Sequence, residues 1–181
     1  MPRGEHLLGA ALRVIAGQGL AGLSVRTVAA ESGVSPAQVQ YYFRTKTELV
    51  RAAFEHSGEQ FLADLRAVEG ERSIDWLHHL VDVWLPLDER REQRARVWLA
   101  YAATAAIDSD LATHSAEVDA ELTGVLAAEL SELGCLAPQR SAAQLLALID
   151  GVTLRMLTLP MTDRASCVAE VLTPFLRSLI P

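Results

Sequence analysis

Three helix-start signals crowd into residues 24–48 and leave room for only one short helix between them. Ser24 stands just before Val25, Val28 and Ala29, which recur at helical spacing. A serine there caps a helix by accepting a bond from a first-turn N–H. Ser35 is followed by Pro36, at the one helical position where a missing N–H costs nothing, and by Gln38, placed to complete a reciprocal capping box. Thr45 and Glu48 repeat the box. Gly33 supplies the positive φ of a tight turn. The pattern predicts one helix over about 25–32, a second from 36 to about 43, and a third starting at Lys46. A helix as short as the second is marginal in water. Its neighbours must hold it.

The same periodicity runs through the rest of the chain. Before the first cap, Leu8, Ala11, Leu12 and Ile15 make an apolar stripe over about 5–18. After it, helices are expected over about 46–68, 74–85, 94–107 and 112–133. An eighth runs from Pro138 to before Pro160, and a ninth from about 164 to 179 with Thr162 or Asp163 as cap. "DERREQR" (88–94) reads as a solvated connection, and "DSD" (108–110) as the end of the sixth helix. Half the residues are hydrophobic, and the alternation of a strand is nearly absent. The expected fold is all-α with about nine helices. No membrane partner is expected, because the longest apolar run, 97–107, is too short to cross a bilayer. The N-terminus has no signal-peptide layout. Cys135 and Cys167 are isolated and read as reduced thiols of a cytoplasmic protein, with no metal and no cofactor.

Charge divides the chain. Residues 1–51 carry Arg3, Arg13, Arg26, Arg44, Lys46 and Arg51 against Glu5, Glu31 and Glu48, a balance of +3. The other 130 residues carry 10 basic and 20 acidic side chains, or −10. A basic front on an acidic body suits a front that meets phosphate. The expected boundary falls inside the helix that starts at Lys46, near residue 50.

The second and third helices, joined at Gly33, make a helix-turn-helix, whose second helix enters the major groove when the motif binds DNA. That helix offers Ser35, Ala37, Gln38, Gln40, Tyr41 and Tyr42 outward. A glutamine amide can pair with adenine N6 and N7. Arg44 and Lys46 flank a helix N-terminus, where free N–H groups already favour phosphate. Tyr41 or Tyr42 could instead pack on the first helix, while Val28, Val34, Val39, Phe43 and Leu49 read as core.

Residues 10–55, "AALRVIAGQGLAGLSVRTVAAESGVSPAQVQYYFRTKTELVRAAFE", resemble the DNA-binding domain of the TetR family of bacterial regulators. The terminal "YYF-x-x-K-x-x-L" carries most of the specificity. The resemblance implies phosphate contacts from Thr27, Tyr42 and Lys46, and groove contacts from Ser35, Pro36, Ala37, Gln38 and Tyr41. Gln40 departs from the tyrosine common in the family. It reads a base that tyrosine would not, or it is solvated.

The resemblance implies a DNA-binding domain over 1–50 and a ligand-binding and dimerisation domain over 51–181 that holds a small, largely apolar ligand, for which Trp76, His79, Trp84, Trp98, Tyr101, Thr104, Asp108, Asp150, Thr153 and Met156 are the candidate lining. His114 and Arg155 are further polar residues in apolar helices, and Asp150 and Arg155 invite pairing or a ligand role. Leu145, Leu148, Ile149, Val152 and Leu159 form one apolar face, and Val168, Val171, Leu172, Phe175, Leu176 and Leu179 another. Together they read as a homodimer seam. Two heads about 34 Å apart would read a palindrome. The expected function is a dimeric regulator of transcription, a repressor released from its operator by a ligand. The alternatives are a DNA-binding regulator controlled by a protein partner, and a helical carrier or enzyme. No nucleophile–base pair, metal cluster or phosphate loop supports an enzyme.

Overall fold

The computed structural model describes residues 4–180, so Arg3 of the basic front lies outside it. The described residues form nine helices and no strand. The first four are α1 (Glu5–Gly22), α2 (Val25–Ser32), α3 (Pro36–Tyr42) and α4 (Lys46–Arg66). Then come α5 (Ile74–Asp82), α6 (Glu89–Ala105), α7 (Ser109–Glu132) and α8 (Pro138–Met156). The last, α9, runs through Arg164–Cys167, a π-helical Val168–Leu172 and Thr173–Leu179.

The caps sit where the sequence puts them. Ser24 Oγ accepts from the Thr27 N–H, Ser35 Oγ from Gln38 N–H and Thr45 Oγ1 from Glu48 N–H. Glu48 departs from a simple box: its carboxylate accepts from Arg44 N–H at 2.9 Å, one residue before the cap. Gly33, at φ +70°, makes the turn between α2 and α3. Further on, two polar stretches differ from expectation. Asp88 is an N-cap, bonded to the Arg91 N–H at 2.7 Å, so "DERREQR" is the first turn of α6 and not a solvated connection. Asp108 caps α7 and does not merely end α6. Before α9 there is no side-chain cap; a 3₁₀ turn, Met161–Asp163, leads in instead.

Two cores form. The first holds α1, α2 and α3 together through Leu7, Ile15, Val28, Val39 and Phe43. Leu49 and Ala53 of α4 and Val97 of α6 close it. The second gathers Leu77 and Leu80 of α5, Leu126 and Leu130 of α7, Leu145, Ile149 and Met156 of α8, and Leu172 and Leu176 of α9. The chain is thus tied front to back by α4 and α6.

Arginines fasten the body. Arg94 reaches Asp64 on α4 at 2.6 Å, donates to the Val83 carbonyl and lies over the Phe61 ring. Arg90 reaches the same Asp64 at 2.8 Å. Burial opposes ionisation of Asp64, but the bonds from Arg94 and Arg90 hold its carboxyl below the ordinary value. Arg164, only 3% exposed, donates to Glu92 at 2.8 Å, to the Pro86 carbonyl at 2.7 Å and to the Leu159 carbonyl at 3.2 Å. The bonds from Arg164 and Arg96 keep Glu92 ionised below its usual range. One guanidinium therefore joins α6, the turn before it and the lead-in to α9.

Breaking a buried pair strands its partner. Arg164→Ala should lower unfolding free energy by about 3–5 kcal/mol, measured by denaturant titration at fixed protein concentration. Arg164→Lys should recover only part of that, since one ammonium cannot span three acceptors in a planar fork. A loss below about 1 kcal/mol would place the pair with exposed ones.

Candidate nucleic-acid interface and ligand cavity

The head presents its polar face to solvent. Ser35, Pro36, Ala37, Gln38, Gln40 and Tyr41 are all exposed on α3 or at its start, and Tyr41 is 77% exposed. Val39 points the other way and is fully buried. Tyr42 is half-buried and packs on the head core, its ring edge-on to Tyr41 at 5.2 Å, so much of its surface is spent on the fold. Thr27 is also turned inward. Its hydroxyl accepts from Ser24 N–H at 2.9 Å and donates toward the Gly22 and Ser24 carbonyls, so in the free head it takes part in the α2 cap.

The head's cations separate into paired and free. Arg13 is tied to Glu31 at 2.6 Å and Arg51 to Glu55 at 2.8 Å. Arg26, Arg44 and Lys46 are exposed and make no ion pair among the described residues. Lys46 is the first residue of α4, a 21-residue helix. Its charge adds to the positive end of that helix, which begins four residues after the end of α3.

In the body, α4, α6, α7 and α8 line a half-open cavity of about 260 Å³. It is floored by Phe54 and Phe61 of α4 and walled by Trp98 and Tyr101 of α6, with Trp84 entering from the turn after α5. Phe54 stands 4.2 Å from Tyr101 and Phe61 4.8 Å from Trp84, ring centre to ring centre. His114 and Asp119 come from α7, Asp150 and Thr153 from α8. Tyr101 Oη and His114 Nδ1, both in the lining, are hydrogen-bonded to each other.

Of the expected lining, the cavity gathers Trp84, Trp98, Tyr101, Asp150 and Thr153. The others lie elsewhere. Trp76 is core, its indole N–H directed at the Val68 carbonyl, and Met156 is fully buried beneath α8. His79 is exposed on α5. Thr104 bonds back to the Ala100 carbonyl within its own helix, and Asp108 is spent on a cap. Arg155 is exposed and forms no pair with Asp150. Phe54, Phe61, Arg94 and Asp119 line the cavity without having been expected to; their aromatic or charged character on helices of mixed polarity gave no cue that set them apart from a core stripe or a surface.

The expected dimer seam is also divided. Leu145, Ile149, Val152, Leu172 and Leu176 are buried inside the single chain, so they cannot also face a partner. Leu148, Leu159, Val168, Val171, Phe175 and Leu179 sit half-exposed at the rim of that core. The outer side of α8 instead carries Ala147, Gly151 and Leu154, the last 49% exposed.

A family profile described as "Bacterial regulatory proteins, tetR family" matches residues 7–53. A second, "BetI-type transcriptional repressor, C-terminal", matches residues 73–181. The HTH-type transcriptional regulator PksA of Bacillus subtilis is 26% identical, over 98% of this chain and 89% of that protein. A transcriptional regulator from Rhodococcus sp. Rha1 has a solved structure with a TM-score of 0.86 and 33% identity, over 97% of this chain and 94% of that one. The multidrug binding protein EbrR, complexed with malachite green, gives a TM-score of 0.72 at 28% identity, over 100% and 99%.

Asp150 is the most perturbed acid of the cavity. Burial, helped by the nearby Asp119 charge, pushes its carboxyl up to about 6. Between the unfolded value near 3.8 and that figure, the unfolded chain loses the proton while the folded one keeps it, so folding is disfavoured progressively as pH rises. Asp150→Asn removes the penalty. Its melting temperature relative to the parent should rise between pH 4.5 and pH 7.5; an offset independent of pH would show an ordinary solvated carboxylate.

Proposed function

The chain belongs to the TetR family of bacterial regulatory proteins, and on that premise we propose that it is a dimeric, cytoplasmic repressor which a small, largely apolar molecule releases from a palindromic operator. The observation that carries the reading is the continuity of α4. Lys46 at its first residue is exposed and follows the end of α3 by four residues, and Phe54, Ser57, Gly58 and Phe61 further along the same helix line the cavity. A molecule that fills the cavity bears directly on the element that places the head. The relatives are regulators and not enzymes, and one structural neighbour holds a small organic molecule.

On this reading Ser35, Ala37, Gln38, Gln40 and Tyr41 meet base edges, while Arg44 and Lys46 hold phosphate. Release then requires that the ligand bind more tightly to the head spacing that does not fit DNA. Dimerisation uses the outer sides of α8 and α9. Ala147 and Gly151, one turn apart, let a second helix approach closely, and Leu148, Leu154, Val171 and Phe175 supply apolar cover. A two-fold axis there pairs each surface with its own copy.

The deciding experiment is binding of the purified protein to DNA from its own upstream region, followed over salt concentration. Lys46→Ala should flatten the slope of log affinity against log salt by about 0.9 per head, the value of one lost phosphate contact. An unchanged slope would remove Lys46 from the interface. Leu154→Arg should shift the mass in solution from two chains toward one, at a cost of about 2 kcal/mol or more in association; light scattering reads it, and an undisturbed dimer would move the seam to another face.

A further inference from the structure

Two polar side chains in the cavity have no partner in the protein. Thr153 is only 4% exposed, and its hydroxyl, with no hydrogen bond to another described residue, opens onto the cavity. One turn earlier on α8, Asp150 faces the same space, and no cation or donor among the described residues meets its carboxylate. The charges around it are committed elsewhere. Arg94 on α6 is held by Asp64, and Glu55 on α4 by Arg51. Tyr101 on α6 and His114 on α7 are bonded to each other. Asp119 on α7 is a second acid and adds negative charge.

A desolvated carboxylate is costly without both an opposite charge and a hydrogen-bond donor. The rest of the wall is aromatic, and ring faces attract cations. We infer that the cavity takes a protonated amine, an organic cation with at least one N–H, whose nitrogen bonds Asp150 with Thr153 beside it and whose apolar body lies among Phe54, Trp98 and Tyr101. This rests on reading the cavity as the effector site. A quaternary ammonium satisfies the rings and the charge but leaves the carboxylate and hydroxyl without a donor, so it binds less well. At about 260 Å³ the cavity falls just below the range of drug-sized sites, about 300–1,000 Å³, which favours a compact molecule.

The test uses three probes of one shape: benzyldimethylammonium, benzyltrimethylammonium and the uncharged isobutylbenzene. Emission from Trp84 and Trp98 reports occupancy of the full-length protein. The protonated amine should bind about tenfold or more tighter than the quaternary ion, and the neutral compound should be weaker than either. Asp150→Asn should erase the advantage of the amine over the quaternary ion. In the parent, amine affinity should fall on the order of tenfold from pH 7.5 to pH 5 as Asp150 takes its proton, and Asp150→Asn should lose that dependence. Equal affinity for the amine and its quaternary analogue, a preference for the neutral compound, or no binding of the three would overturn the inference. The parent protein decides this alone should Asp150→Asn fail to fold. Failure to bind upstream DNA would instead overturn the regulator reading and leave these affinities standing.

Discussion

A helix of seven residues cannot hold its own shape in water, and α3 is such a helix. Its outer face is free to be polar only because its inner face is sealed. Val39 and Phe43 are buried against α1 and α2. Those helices are sealed in turn by Leu49 and Ala53 of α4 and by Val97 of α6. The exposed surface of the head thus rests on a helix of the body. That same helix turns Trp98 and Tyr101 to the cavity. Head and cavity are two sides of one packed wall, so neither can shift far without the other.

What could be read from the sequence was local. Ser24, Ser35 and Thr45 each bond a backbone N–H three residues on, and a signal that short survives any tertiary arrangement. The inward set of the head, Val28, Val39, Phe43 and Leu49, followed from period alone. The parts that were not legible depend on partners far along the chain. Arg94 and Arg164 lie in stretches that look solvated, because their acceptors on Asp64, Val83, Pro86 and Glu92 are brought near only by folding. Asp150 was conspicuous as an acid in an apolar helix, but nothing in the sequence distinguishes facing a cavity from facing Arg155. The α8 and α9 leucines show why apolar periodicity cannot name a seam. The stripe that covers its own chain and the stripe that covers a copy have the same spacing, and here Leu145 and Leu172 belong to the first kind.

The arginines give the body a stiffness that apolar packing alone would not. Several acidic groups of the body are taken: Asp64 by two guanidiniums, Glu92 by two, Asp88 by Arg91 and Glu129 by Arg72. A planar fork meets several acceptors at once and fixes the angle between the elements it joins. Inside that frame Asp150 stands without a cation. The contrast locates where the protein is structurally complete and where it is open.

Geometry then sets how a small event in the cavity reaches the head. From Gly58, beside the cavity, to Lys46 the helix α4 rises about 18 Å at 1.5 Å per residue. A tilt of about 5° about the cavity end would carry Lys46 roughly 1.5 Å, and two heads moving oppositely would change their separation by about 3 Å. That is comparable to the length of one hydrogen bond, which on the proposed reading would break contacts made in two successive major grooves. Such a lever needs a stiff rod and a fixed far end. The Arg94–Asp64 bond anchors α4 just beyond the cavity, and Leu49 and Ala53 bind its near end to the head. On the proposed reading, a ligand against Phe54 and Phe61 would press on α4 between its Asp64 anchor and the head.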